Sequence, residues 1–91
     1  MNNYPIIHPE LTWRLLDSEA VIVSPTSGNI RVLNRTGTEI WQLLADGCEI
    51  EKIEMVLVDQ YNLSIHQAKV DVSAFLEDLI RCGLIILKSH V

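Results

Sequence analysis

The chain has 91 residues, a length that fits one small domain spanning residues 1–91 and leaves no room for a second. With 48% hydrophobic and 21% charged residues, its composition is that of a folded domain, which excludes a disordered chain. Twelve acidic against seven basic residues give a formal charge of −5, and this acidity disfavours a nucleic-acid partner held by phosphate neutralisation.

Targeting signals and metal-ligand patterns are both missing from the sequence. No apolar run approaches the ~20 residues that cross a bilayer, and the N-terminus lacks the basic and apolar regions of a signal peptide. We therefore expect a cytoplasmic protein without a membrane partner. Cys48 and Cys82 lack the C-x-x-C spacing of redox or zinc sites, so structural thiols are favoured, although a disulfide between them stays open. The histidines have no helical partner that could complete a ligand set, so we expect neither a metal nor a cofactor.

The N-terminal third is predicted to form strands, because short apolar runs alternate with turn residues rather than following a helical period. Residues 13–16 and 20–23 are joined by a tight polar connection, and the second run has apolar residues on both faces, as central strands do. A turn containing Pro25, Gly28 and Asn29 leads into an extended segment at residues 30–33. We expect a three-stranded antiparallel meander.

Two short helices are predicted next. Thr36 and Glu39 match the S/T-x-x-E capping box, and Gly47 is placed to end the first helix in the left-handed conformation. Its apolar face contains Ile40, Leu43 and Leu44, with Trp41 at the border. A second helix follows from apolar residues at 3/4 spacing between Ile50 and Tyr61, although Glu49 is a poor capping residue.

The third predicted helix is the longest periodic stretch. Ser64 and Gln67 form a second capping box, Arg81 falls in the last turn, and Gly83 lies just beyond it. Its apolar stripe consists of Ile65, Ala68, Val72, Phe75, Leu76 and Leu79. Residues 84–87 form either a short terminal strand or an apolar tail packed on the core.

This order of elements predicts an α+β fold like a winged helix-turn-helix, with a three-stranded antiparallel sheet followed by three helices. DNA binding is therefore one alternative, but the third helix carries two basic residues against three acidic ones, and a phosphate-tracking surface should be basic. No nucleophile is paired with a base, and no glycine-rich phosphate loop is present. We do not expect an enzyme.

A peptide-binding surface is the remaining interpretation. An unpaired sheet edge beside a helix offers backbone donors and acceptors to an extended peptide. On the third helix, Ala74 and Phe75 form a small apolar floor between Asp71 and Asp78. The alternative reading is a phenylalanine at the edge of the core with two solvated acids.

Several motifs together resemble PqqD-like proteins. Residues 33–44 match the signature L-N-x-T-G-x-x-I-W-x-L-L, which directly follows the predicted strands. Downstream, D-G at 46–47, L-x-x-x-Y at 57–61, D-V-x-x-F-L-x-x-L at 71–79 and G-L-I at 83–85 occur in the family's order. The resemblance covers about residues 13–87, and its specificity comes from the joint order of the motifs.

The resemblance implies a RiPP recognition element, a non-enzymatic adaptor that binds the leader peptide of a ribosomally made precursor and presents the precursor to modifying enzymes. In such domains the leader is an added strand against the third strand, in the groove beside the third helix. The implied peptide-binding residues are Asn29, Ile30, Arg31, Val32 and Leu33 on the strand, and Asp71, Ala74, Phe75 and Asp78 on the helix.

Two pathways fit this resemblance. The third strand lacks the P-E-G turn sequence associated with the pyrroloquinoline quinone member. A lasso-peptide recognition protein, working beside a leader peptidase and an amidotransferase-like cyclase, is therefore favoured. A quinone-pathway peptide chaperone serving a radical SAM enzyme is the second choice, and a winged-helix DNA-binding or partner-binding module is the third.

Overall fold

The computed structural model of the protein describes residues 3–24 and 27–89. In chain order, the elements are β1 (Asn3–Ile7), β2 (Thr12–Leu16), β3 (Glu19–Val23), β4 (Ile30–Val32), α1 (Arg35–Ala45), α2 (Ile50–Tyr61), α3 (Ile65–Arg81) and β5 (Ile85–Ser89). The α+β class is as predicted, and so is the order of a three-stranded antiparallel sheet, β2 to β4, followed by three helices.

Strands β2, β3 and β4 form the expected antiparallel meander, with β3 in the centre. Trp13 pairs with Ile22, and Ile22 pairs with Arg31, so these three side chains lie on the same face of the sheet. Ala20 and Ile22 are fully buried, so this face packs on the core. In the turn before β4, Gly28 has a φ of 73°, which favours glycine, whereas the predicted turn residues Pro25 and Thr26 lie outside the described residues.

Helix α1 begins earlier than the capping box at Thr36 predicts. Asn34 is the N-cap, because its backbone is extended and its Oδ1 accepts a hydrogen bond from the Gly37 N–H at 2.8 Å. Thr36 therefore lies inside the first turn. The buried hydroxyl of Thr38 has a different role: it accepts from the Ala20 N–H at 2.9 Å and donates to the Leu33 carbonyl at 3.3 Å. The Thr38 side chain thus links the start of α1 to the end of the β3–β4 ladder by two hydrogen bonds.

The remaining helix ends are mostly as predicted. Gly47, at φ 82°, ends α1, and its N–H donates to the Leu44 carbonyl at 3.0 Å. Glu49 precedes α2 without a side-chain capping bond, and Asn62 adopts the left-handed conformation that turns the chain into α3. Trp41 is fully buried rather than at the border of the apolar face, and its ring meets that of Trp13 edge to face at 5.9 Å.

Helix α3 differs from the prediction at its first turn. Ser64 Oγ accepts from the Gln67 N–H at 3.1 Å as expected, but the Gln67 side chain donates to Asp71 Oδ1 at 2.8 Å instead of returning to the cap. The capping box is therefore half formed. Ile65 is 46% exposed and does not join the core, because α3 begins one turn before its first fully buried residue, Ala68.

A two-stranded ribbon of β1 and β5 was not predicted. The strands are antiparallel, with Pro5 opposite Leu87 and Ile7 opposite Ile85. The proline argues against a strand in the sequence, but in a two-stranded ribbon each strand has a free edge where the missing N–H costs no ladder bond. The ribbon confirms the terminal-strand alternative for residues 84–87, beginning at Ile85.

Candidate functional site

Strand β4 is an edge strand, and its outer edge has no sheet neighbour among the described residues. Leu33 N–H donates to the Ala20 carbonyl and Ser24 N–H donates to the Asn29 carbonyl, both at 2.9 Å, so Asn29 and Leu33 face β3. Backbone hydrogen bonds alternate along an antiparallel pair, so Arg31 also faces β3. The N–H and C=O groups of Ile30 and Val32 consequently point to the open edge.

Side chains alternate along β4 as well. Arg31 is opposite the buried Ile22 and therefore lies on the helix side of the sheet. Ile30 and Val32 project from the other face, where they are 68% and 57% exposed. The side chain of Leu33 is buried at 6% exposure, because it shares the helix side with Ala20 and Ile22, so its side chain is part of the core.

Helix α3 forms the wall beside this edge. Its face carries Asp71, Ala74, Phe75 and Asp78, of which Ala74 is exposed and the others are half-buried. The Phe75 ring lies against the first turn of α1: a Cβ added to Gly37 would come within 3.0 Å of Phe75 Cε1. We call the space between the open edge of β4 and this face of α3 the groove.

An ion pair joins the two walls of the groove. The Arg31 guanidinium donates through Nη2 to Asp78 Oδ2, and its Nη1 lies 2.9 Å from Cys82 Sγ. The two charged side chains are 38% and 41% exposed, so solvent screens the pair and its contribution to stability is about 0–1 kcal/mol. Its structural effect is to connect the edge strand directly to α3.

The sequence did not predict that both acids of the α3 face already have partners. Asp71 accepts from Gln67, and Asp78 is paired with Arg31. The structure therefore joins Arg31 to Asp78 and Cys82, and it places Phe75 against Gly37. The sequence could have placed Cys82 on the same face of α3, because it continues the 3/4 spacing of Asp71, Ala74 and Asp78.

A cavity of about 360 Å³ lies at the end of the groove where β4 begins. Its lining includes the Arg31 and Cys82 side chains together with Ile22, Asn29, Ile30 and Leu84. Asn29 is exposed, and its N–H donates to Ser27 Oγ at 3.3 Å. The cavity is large enough to take a side chain from a peptide lying along β4.

The described residues contain neither a disulfide between the two cysteines nor a group of metal ligands. Cys48 and Cys82 are both free thiols, so they are not bonded to each other. In residues 3–24 and 27–89, no three His, Cys, Asp or Glu side chains are grouped as metal ligands. None of the helices in the same ranges combines the length and apolarity needed to span a membrane.

A second cleft of about 1050 Å³ lies between β1 and α2, where the nearly buried Glu54 pairs with Lys69 at 3.0 Å.

Fold and site define a winged-helix-like domain in which an open strand edge lies beside the last helix. The chain belongs to the PqqD family, described as coenzyme PQQ synthesis protein D, whose sequence profile matches residues 19–85. This match confirms the resemblance to PqqD-like RiPP recognition elements that the motifs indicated. No curated protein sequence matches the chain significantly.

Two solved structures have the same fold. TbiB1 in complex with the TbiA(beta) leader peptide is 24% identical, with a TM-score of 0.85, covering 94% of this chain and 98% of TbiB1. A lasso peptide synthetase B1 complexed with the leader peptide is 25% identical, with a TM-score of 0.84, covering 91% of this chain and 98% of that chain. In both cases the matching chain was solved with a leader peptide.

Proposed function

We propose that the protein binds the leader segment of a ribosomally synthesised precursor peptide as an added strand on the open edge of β4, in the groove beside α3. The observation that carries this proposal is the pair of outward-facing backbone positions, Ile30 and Val32, next to the apolar floor of Ala74 and Phe75. The two similar structures that hold leader peptides support it.

The backbone supplies part of the affinity. Ile30 and Val32 together offer two N–H donors and two C=O acceptors along the open edge, spaced as an extended peptide requires. Each bond contributes about 0.5–1.5 kcal/mol net, because the peptide and the edge both give up water. Such binding is tolerant of sequence, so specificity must come from side chains.

The groove selects by shape and polarity. Ala74 leaves room beside the Phe75 ring, so an apolar side chain that points from the peptide towards α3 can be buried there. Arg31 and Asp78 neutralise each other at one end, so this wall attracts neither sign of charge strongly. Residues 29–32 together with Asp71, Ala74, Phe75 and Asp78 form the proposed contact set.

The protein would act as a non-enzymatic adaptor in the cytoplasm, where precursors are made, and would deliver the bound precursor to modifying enzymes. We propose a lasso-peptide pathway with a leader peptidase and a cyclase, which the similarity to lasso peptide synthetase B1 supports. The description of the matching family favours a second candidate, a peptide chaperone of the pyrroloquinoline quinone pathway serving a radical SAM enzyme.

Calorimetric titration of the purified protein tests the proposal. The ligands are the leader encoded by a short precursor frame beside this protein's gene, a scrambled leader of equal composition, and duplex DNA. We expect saturable one-to-one binding of the native leader alone. Equal binding of the scrambled leader, or preferential binding of DNA, would refute leader recognition. Whether a neighbouring gene encodes a peptidase with a cyclase or a radical enzyme separates the two pathways.

A further inference from the structure

The outer face of the sheet, opposite the helices, carries an apolar patch that ends at the open edge. Ile30, at 68% exposure, is the most exposed large hydrophobic side chain of the described residues, and Val32 is 57% exposed. They stand beside the half-buried Val23 and Val21, which are their partners on β3. We call these four residues the outer patch.

The two edge strands of the sheet, β2 and β4, differ in the polarity of the side chains that they place in the rows of the outer patch. On β2, Arg14 is opposite Val21 and Thr12 is opposite Val23, so polar side chains border the outer patch there. Leu16, which is 53% exposed, lies on the same face of β2, but it is opposite Glu19 and outside the outer patch. On β4, no described residue lies beyond Ile30 and Val32 in these two rows of the sheet, and the charged Arg31 projects from the other face. Sheets usually protect an open edge with charges, because exposed apolar edges promote unwanted pairing. The exposed apolar pair on β4 therefore marks the side of the outer patch that a partner strand would cover.

We propose that Ile30 and Val32 determine specificity for the leader by packing against two of its side chains on the outer face. This inference rests on the proposed strand addition, which places a leader residue opposite each of them. Those two residues are two positions apart in the leader, whichever way its strand runs, because side chains alternate between faces. Cross-strand packing favours β-branched or aromatic side chains at both positions.

The bound leader would thus be recognised on both faces of its strand. The residue between the two outer positions points towards the groove and meets Ala74 and Phe75. The two outer residues extend the rows Arg14–Val21–Val32 and Thr12–Val23–Ile30 by one strand. The leader class is a segment with apolar residues on both sides of the strand, rather than one with alternating apolar and charged residues.

Leader titrations of Ile30→Thr and Val32→Thr test this inference. Threonine keeps the β-branch and the strand propensity, and both sites are exposed, so the variants should fold like the parent. Each change should weaken leader affinity about two- to fivefold, the effect of losing one cross-strand pair. The matched control is Leu16→Thr on the edge of β2, which should bind as the parent does; Leu16 is apolar and 53% exposed, close to the 57% of Val32.

A serine scan of the leader with the parent protein gives an independent measurement. Affinity should fall at two positions two residues apart, and these losses should shrink when combined with Ile30→Thr or Val32→Thr. If the parent binds the leader but both threonine variants bind equally well, the outer face is not read, while strand addition remains. If the parent does not bind the leader, the proposed function itself fails.

Discussion

Arg31 on the edge strand is ion-paired with Asp78 on α3, across the groove where the leader is proposed to bind. The strand is only three residues long, and its described backbone pairing is with β3 on one side. The ion pair therefore adds a side-chain link between this strand and α3. Arg31 binds Asp78 through Oδ2, so a basic leader residue that approached Asp78 would share the carboxylate with Arg31.

The first prediction concerns this pair. Asp78→Ala releases the edge strand from α3 and should weaken leader binding several-fold, while changing the free energy of unfolding by less than about 1 kcal/mol because the pair is exposed. Raising salt should weaken leader binding to the parent more than to the variant, since screening at ~8–10 Å acts on the pair. Calorimetry at two salt concentrations measures both effects.

The controls for this experiment come from other acids. Glu51 is exposed on α2, so Glu51→Ala should leave leader binding unchanged. Asp71→Ala loses only the hydrogen bond from Gln67 and should change affinity less than Asp78→Ala. Glu54 is unsuitable, because it is 6% exposed and paired with Lys69. If Asp78→Ala binds the leader as well as Glu51→Ala does, the pair does not shape the groove.

The second prediction uses the alternation of backbone groups along β4. Proline at Ile30 or Val32 removes an N–H that points to the open edge, so leader affinity should fall while the protein stays folded. Proline at Arg31 removes a donor to β3, so it should lower the melting temperature itself. Circular dichroism and calorimetry on the three variants separate these effects. A Val32→Pro protein that is folded and binds the leader fully would rule out strand addition here.

Local patterns predicted most of the fold and the helix face that lines the proposed site. The β-branched run at residues 20–23 and the stripe of α3 are signals within one element, and each was recovered with its boundary nearly correct. The pairing of β1 with β5 depends on segments from opposite ends of the chain, and Pro5 argues against a strand in the first of them. No local pattern contains that information.

In the proposed site, too, the sequence predicted relations within one element but not contacts between elements. The helical spacing of Asp71, Ala74, Phe75 and Asp78 placed them on one face of α3, which the structure retains. The partner of Asp78 could not be predicted, because it depends on how β4 lies against α3 in three dimensions. Sequence spacing gives the face on which a charge lies but does not indicate which opposite charge reaches it.

The third prediction concerns the start of α1. Asn34→Ala removes the acceptor of the Gly37 N–H and should cost about 0.5–2 kcal/mol of unfolding free energy. Thr36→Ala should change it by less than about 0.5 kcal/mol, because Thr36 lies within the helix without a capping role. Ser64→Ala, at the cap of α3, should resemble Asn34→Ala. Urea unfolding measures all three, and a larger loss for Thr36 than for Asn34 would contradict the assigned cap.

The fourth prediction joins the first turn of α1 to the groove floor. Gly37→Ala adds a Cβ that would lie 3.0 Å from Phe75 Cε1 and 3.2 Å from Asn34 Oδ1, so the Phe75 ring must give way by a few tenths of an ångström. Alanine also favours the helix by up to about 1 kcal/mol, which offsets part of the steric cost in the free energy of unfolding. Leader affinity has no such compensation and should fall several-fold.

Phe75→Leu provides the comparison for Gly37→Ala. Leucine leaves space above residue 37 and keeps the floor apolar, so the double variant Gly37→Ala/Phe75→Leu should bind the leader better than Gly37→Ala alone. Double-mutant analysis of leader affinities then measures the coupling between the two positions. Additive losses would show that Gly37 acts on the leader by another route, and unchanged binding by Gly37→Ala would show that the floor does not depend on the position of the Phe75 ring.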